Sequence, residues 1–206
     1  MTSTRKLRRA AGRWEDGTRA WATDAGRALA VDLYHGRDTL TRPYQVGVVL
    51  DAGEQVWGEL PACCSIDPPL YPPPGAARPG DPLPQPPIST WLLTNGRVVG
   101  RVRDHLRGWR WENMVGCRVD LTPGAEVVAI DVENGKPPVT WTGPGVAPLA
   151  VAAVFRLYGA RAMVEHPGLA VLRTAEVAGQ PPPDVGSWPA ELPGGGGTEI
   201  KGGLYW

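Results

Sequence analysis

Apolar positions recur at two different periods along this chain, and the change of period divides it. From Trp14 the positions Trp14, Thr18, Trp21, Ala25, Ala28, Leu29 and Leu33 follow a helical repeat. This predicts one amphipathic helix over residues 16–34, with those positions as its packing stripe. His35-Gly36 follows, and glycine accepts the left-handed conformation that ends helices. Residues 1–13, polar and basic, are expected to fray. Short runs rich in Val and aromatic residues at 44–50 and 55–60, separated by the turn sequence Asp51-Ala-Gly-Glu54, predict the first strands.

Residues 65–87 lose all periodicity. Proline at that density prevents both helix and central strand, so an exposed polyproline-like insertion is expected there. Its Pro69-Leu-Tyr-Pro72 has the PxxP form, without a basic anchor in register.

A period of two then takes over. Trp91 and Leu93 share a face, Asn95-Gly96 suits a tight type I′ turn, and Arg97, Val99, Arg101 and Arg103 alternate with Val98, Gly100 and Val102. Residues 106–121 carry Trp109 and Trp111 on one face with Arg110 and Glu112 on the other, and Gly116 marks a bulge or bend. Thr122-Pro-Gly124 turns the chain into a β-branched strand at 126–132. Asn134-Gly135 turns it again, and Val139-Thr-Trp-Thr142 is the last strand. Gly143-Pro-Gly-Val-Ala-Pro148 ends the sheet and opens an apolar helix over 146–166, whose face of Leu149, Ala150, Ala153, Val154 and Leu157 requires packing. Beyond Arg173 the chain is Pro/Gly-rich to its Leu204-Tyr-Trp206 end.

The pattern gives an α+β chain: a basic tail and helix over 1–42, a β-rich domain over 43–174 interrupted by the insertion, and a flexible tail over 175–206. Hydrophobic content of 42% suffices for a core, and zero formal net charge removes any bulk reason for nucleic acid as a partner. Three cysteines, Cys63, Cys64 and Cys117, make no disulfide framework and read as reduced thiols. The basic start lacks an apolar signal core and the longest apolar run, 149–155, is short for a membrane span. A cytoplasmic location is therefore expected.

Here the motif Trp91-Leu-Leu-Thr-Asn-Gly-Arg-Val-Val99 resembles the hairpin of bacterial PH-like, GRAM-type domains. Trp109-Arg-Trp111, Val119-Asp-Leu121 and Trp141-Thr-Gly-Pro144 are similar to the corresponding parts of actinobacterial proteins of this kind. The resemblance implies an antiparallel β-barrel or sandwich of about six or seven strands capped by a C-terminal helix, with the N-terminal helix as an addition. The superfold hosts lipid, peptide and protein binding alike. Its lipid-binding members use basic residues around the first hairpin, whereas the loop in that place here is Pro-rich with Arg78 its only basic residue.

No nucleophile elbow, phosphate loop, metal-ligand spacing or dinucleotide fingerprint is found, so no catalytic residue, metal or cofactor is expected. Arg97, Arg101, Arg103 and Arg110 form the candidate binding face, able to hold anions or an acidic peptide. The competing expectation is a solvated face with Arg paired across strands to Glu112. Leu204, Tyr205 and Trp206 are a candidate tail anchor for a partner groove. Trp91, Trp109, Trp111 and Trp141 are expected in the core. The functional expectation is a non-enzymatic, protein-binding adaptor. The alternative is a peripheral membrane or anionic-ligand module acting through the arginine face.

Overall fold

A computed structural model describes residues 2–37, 48–66, 88–102, 105–133 and 137–174, with side chains from Gly12 onward except those of Ile66 and Val102. Helix α1 runs Thr2–Tyr34 and helix α2 runs Ala147–Glu165. Between them lie β1 (Val56–Ile66), β2 (Ile88–Thr94), β3 (Arg97–Val102), β4 (His105–Arg110), β5 (Met114–Asp120), β6 (Val127–Val132) and β7 (Val139–Thr142). A 3₁₀ turn at Trp111–Asn113 joins β4 to β5, and a 3₁₀ segment at Pro167–Leu172 follows α2.

The strands make one antiparallel seven-stranded sheet in the order β4-β3-β2-β1-β7-β6-β5. Its two halves meet along β1, whose residues 56–63 pair with β2 and whose residues 63–66 pair with β7; Cys63 faces Ile88 on one side and Thr142 on the other. Trp91 of β2, Trp109 of β4 and Trp141 of β7 then show how the sheet is shaped. In a flat sheet β4 and β7 would stand about 19 Å apart, four strand spacings. Their tryptophan rings instead meet edge to face at 5.3 Å, with Trp91 5.7 Å from Trp141, so the sheet folds back on itself like a sandwich around an indole cluster. The Trp91 indole N–H donates to the Ala62 carbonyl, while the buried Trp141 N–H has no oxygen partner and lies among perpendicular rings.

Helix α2 closes the core: residues 147–154 are all buried. By length and composition this helix is apolar enough to cross a membrane, and the side chains that make it so are packed here against β1, β5, β6 and α1. Trp91, Trp109 and Trp141 on strands and Trp111 in the 3₁₀ turn, where a strand was expected, are all buried, as expected for the core.

Several boundaries differ from expectation. The first helix begins at Thr2, not near residue 16, because Arg, Lys, Leu and Ala before Trp14 are good helix formers and propagate the helix outward from its packed half. Residues 48–50 are not a strand; Val48 and Leu50 lie over the outer face of the first hairpin with Val56, Leu92 and Val99 as a second small core. The strand expected over 55–60 continues to Ile66, since β7 pairs with its second half. The run 106–121 splits into two strands on opposite edges of the sheet, and the bulge falls between Met114 and Gly116. Helix α2 is broken at Gly159 (φ 85°, ψ 176°), a conformation open to glycine. Next to that break the Tyr158 hydroxyl accepts the outward Cys117 N–H of edge strand β5 at 3.0 Å.

The hairpin turn is also not type I′, which would need positive φ at Gly96; that glycine is not among those in the left-handed region. Thr94 organises the turn instead, its hydroxyl accepting from Gly96 N–H at 3.1 Å and Arg97 N–H at 2.9 Å. Asn95 is turned towards β1: its N–H donates to the Gln55 carbonyl and its side-chain oxygen accepts from Gln55 N–H. The turn at Asn134-Gly135 and most of the insertion at 65–87 lie outside the described residues.

Candidate functional site

Strand alternation puts Arg97, Val99 and Arg101 on the outer face of the hairpin, and the register sets Arg110 opposite Arg97 and Leu106 opposite Arg101. That face is not an open basic patch. Glu54, with a side chain only 3% exposed, holds Arg97 at two points: Nε donates to Oε1 and Nη2 to Oε2, both at 2.9 Å. The Thr94 hydroxyl donates to the same Oε1 and the Asp51 N–H to Oε2, while Arg97 also reaches the Val49 carbonyl. Arg110 pairs with Asp51 at 2.6 Å. The arginines are thus neutralised from the 48–55 segment and not by Glu112, because that segment folds over the hairpin to cover Leu92 and Val99. Arg101 is exposed and has no ion pair among the described residues. Arg103 lies outside the described residues, as do Leu204, Tyr205 and Trp206.

The thiols do not form a reactive centre in this geometry. Burial pushes Cys64 well above the usual thiol range, with the neighbouring Cys63 adding to it, and burial pushes Cys117 up to about 11. A raised thiol is a poor nucleophile at neutral pH.

The surface that the sequence reading missed is on α1. Its buried line is Ala22, Gly26, Leu29 and Leu33, not the line through Trp14 and Trp21. Two contacts set this rotation. A Cβ at Gly26 would stand 3.3 Å from both the Ala147 backbone and Leu172, so a side-chain-free position lets α1 pass close to α2. Arg19 reaches across to Glu126 before β6, and Arg27 donates to the Val171 carbonyl. Burial alone would raise the Glu126 carboxyl. Hydrogen bonds from Arg19 and from the Glu126 and Gly124 N–H groups, with the Arg19 charge, outweigh it and hold the carboxyl below its ordinary value.

With α1 held this way, Trp14 and Trp21 point outward, each 47% exposed. They are seven residues apart, two helical turns, so they share one stripe with exposed Gly17 between them and Ala28 beyond. Tryptophan is the residue most enriched at the energetic centres of protein interfaces. The seven-residue spacing carries the signal for this stripe, but spacing alone does not tell an outward line from a packed one, and the small residues at 22 and 26 carry less hydrophobic weight than two indoles.

No protein-family model matches this chain, and no curated protein and no solved structure matches it.

Proposed function

We propose that this chain is a non-enzymatic PH-like module of the cytoplasm that binds a protein, with the outward face of α1 as its contact surface. The observation that carries the reading is the pair Trp14 and Trp21, held on one stripe by contacts on the far side of the same helix. The PH-like assignment is supported by the β1-shared strand order and by α2 closing the sandwich, alongside the hairpin motif. Its extra N-terminal helix then supplies what the scaffold lacks, a long contact element of 33 residues.

A photo-crosslinking amino acid at position 14 or 21 tests this in the producing cell. Crosslinked polypeptide at these positions and none at position 107 is the expected result. An absence of adducts at both tryptophan positions overturns it.

Arg101, exposed and free of an ion pair among the described residues, favours a second reading as an anionic-ligand or membrane-surface module. That reading expects salt-sensitive binding to anionic vesicles that Arg101→Glu abolishes. Vesicle binding indifferent to Arg101→Glu counts against it.

A further inference from the structure

The contact-face reading leaves the occupant open, and the layout of the stripe matches a second copy of itself. Resting on that reading, we propose that the chain self-associates through α1, two copies of the helix packing antiparallel about a two-fold axis that passes midway between Gly17 and Trp21, at the height of position 19.

The first observation is shape. Gly17 lies on the stripe one turn before Trp21, and a Cβ built there would meet nothing within 4 Å, so the helix has a hollow open to solvent. A two-fold axis at position 19 carries Trp21 of each copy onto Gly17 of the other. The bulkiest side chain of the stripe then covers its smallest residue, twice.

The second observation is charge. Arg13 and Asp24 are eleven residues apart, about three turns, so they lie on the same flank of the stripe. Both are exposed, and Asp24 keeps a 79% exposed side chain beside its 3.6 Å contact to Arg27. A two-fold perpendicular to the plane of the two helices keeps like flanks together. It therefore sets Arg13 of each copy opposite Asp24 of the other, within one residue, about 1.5 Å, of the register that pairs 17 with 21. One operation thus satisfies both the hollow and the charges. A self-complementary patch of this kind is what a closed two-fold dimer requires, and an unrelated partner imposes no such relation between 13 and 24.

Among the described residues, the line by which α1 packs on its own domain, Ala22, Gly26, Leu29 and Leu33, is turned about 120° from the stripe at 100° per residue, which leaves the stripe itself clear.

Sedimentation velocity on the full chain from about 1 to 200 μM, spanning weak to moderate association, reads this directly. The expected result is conversion from 22.0 kDa to twice that mass as concentration rises. Gly17→Leu, which meets open space in the single chain, weakens association by about tenfold or more without lowering the melting temperature of the monomer. Arg13→Asp weakens it by roughly tenfold, and adding Asp24→Arg restores it. A wild-type chain that stays monomeric throughout, a dimer indifferent to Gly17→Leu, or a charge reversal that restores nothing overturns the proposal. A monomeric wild type whose position 21 crosslinks to a different polypeptide overturns self-association alone and leaves the contact-face reading standing; no crosslink of any kind overturns both.

Discussion

Arg97 and Glu54 form a two-point ion pair at 2.9 Å that fastens the segment before β1 onto the first hairpin. The pair is mostly withdrawn from solvent, with Glu54 3% and Arg97 18% exposed, so removing one partner leaves the other charge poorly solvated. Glu54→Gln is expected to cost about 2–4 kcal/mol of stability, measured by urea unfolding. A loss under about 0.5 kcal/mol, the scale of ordinary surface substitutions, would show the pair to be peripheral. For the same reason Arg97→Glu unsettles the fold, and Arg101→Glu is the substitution that reports on anion binding.

Gly100 faces Trp91 across the hairpin, and a Cβ there would stand 2.5 Å from the indole Cε3. Gly100→Ala must displace a ring shared with Trp109 and Trp141, at a cost of about 1–3 kcal/mol. Gly108→Ala, whose Cβ has ordinary contacts at 3.5 Å and beyond, serves as the comparison. Denaturation midpoints and tryptophan emission should separate the two variants; equal effects would contradict the indole arrangement.

His166 and Glu126 give the fold an acid-side dependence. Burial lowers the His166 imidazole below its ordinary 6.5, so on acidification the unfolded chain takes up the proton first. Stability from this group is full above pH 6.5 and is lost as the pH falls from there through the folded value. Glu126, held down by Arg19, contributes stability present above its ordinary 4.5 and lost below it. His166→Asn keeps an acceptor for the Gly168 N–H that His166 Nδ1 now caps and should flatten the first slope only. Chemical unfolding from pH 8 to about 2 measures both, and an unchanged upper slope in His166→Asn would assign it to another group.

Much of the sheet was legible: β2 and β3 lie where the period of two places them, and β6 and β7 where β-branched runs follow turn sequences. What misled was local chemistry serving distant partners. Asn95-Gly96 has the composition of a type I′ turn, but Asn95 is committed to Gln55 forty residues away. Alternation sets Arg97 and Arg101 on one strand face, with Arg110 opposite Arg97, while Arg103 lies outside the described residues. The neutralisation of that face by Glu54 and Asp51 was not legible, since nothing local shows that the 48–55 segment folds back over Leu92 and Val99. On α1 the helical period was right and Leu29 and Leu33 are buried as expected, but Trp14 and Trp21 turn outward, because Gly26 and Ala22 gain their packing value only when α2 is beside them.

The central claim is that Trp14 and Trp21 face a protein and not water when the chain is in its cell. Hydroxyl-radical footprinting, comparing the dilute purified chain with the chain in the cell, tests it with internal references. Tyr158, 46% exposed, and Leu106, 50% exposed, are as accessible as the two tryptophans. Joint protection of Trp14 and Trp21 in the cell, with Tyr158 and Leu106 unchanged, is the predicted result; oxidation of both tryptophans at the same rate in the two settings would contradict it.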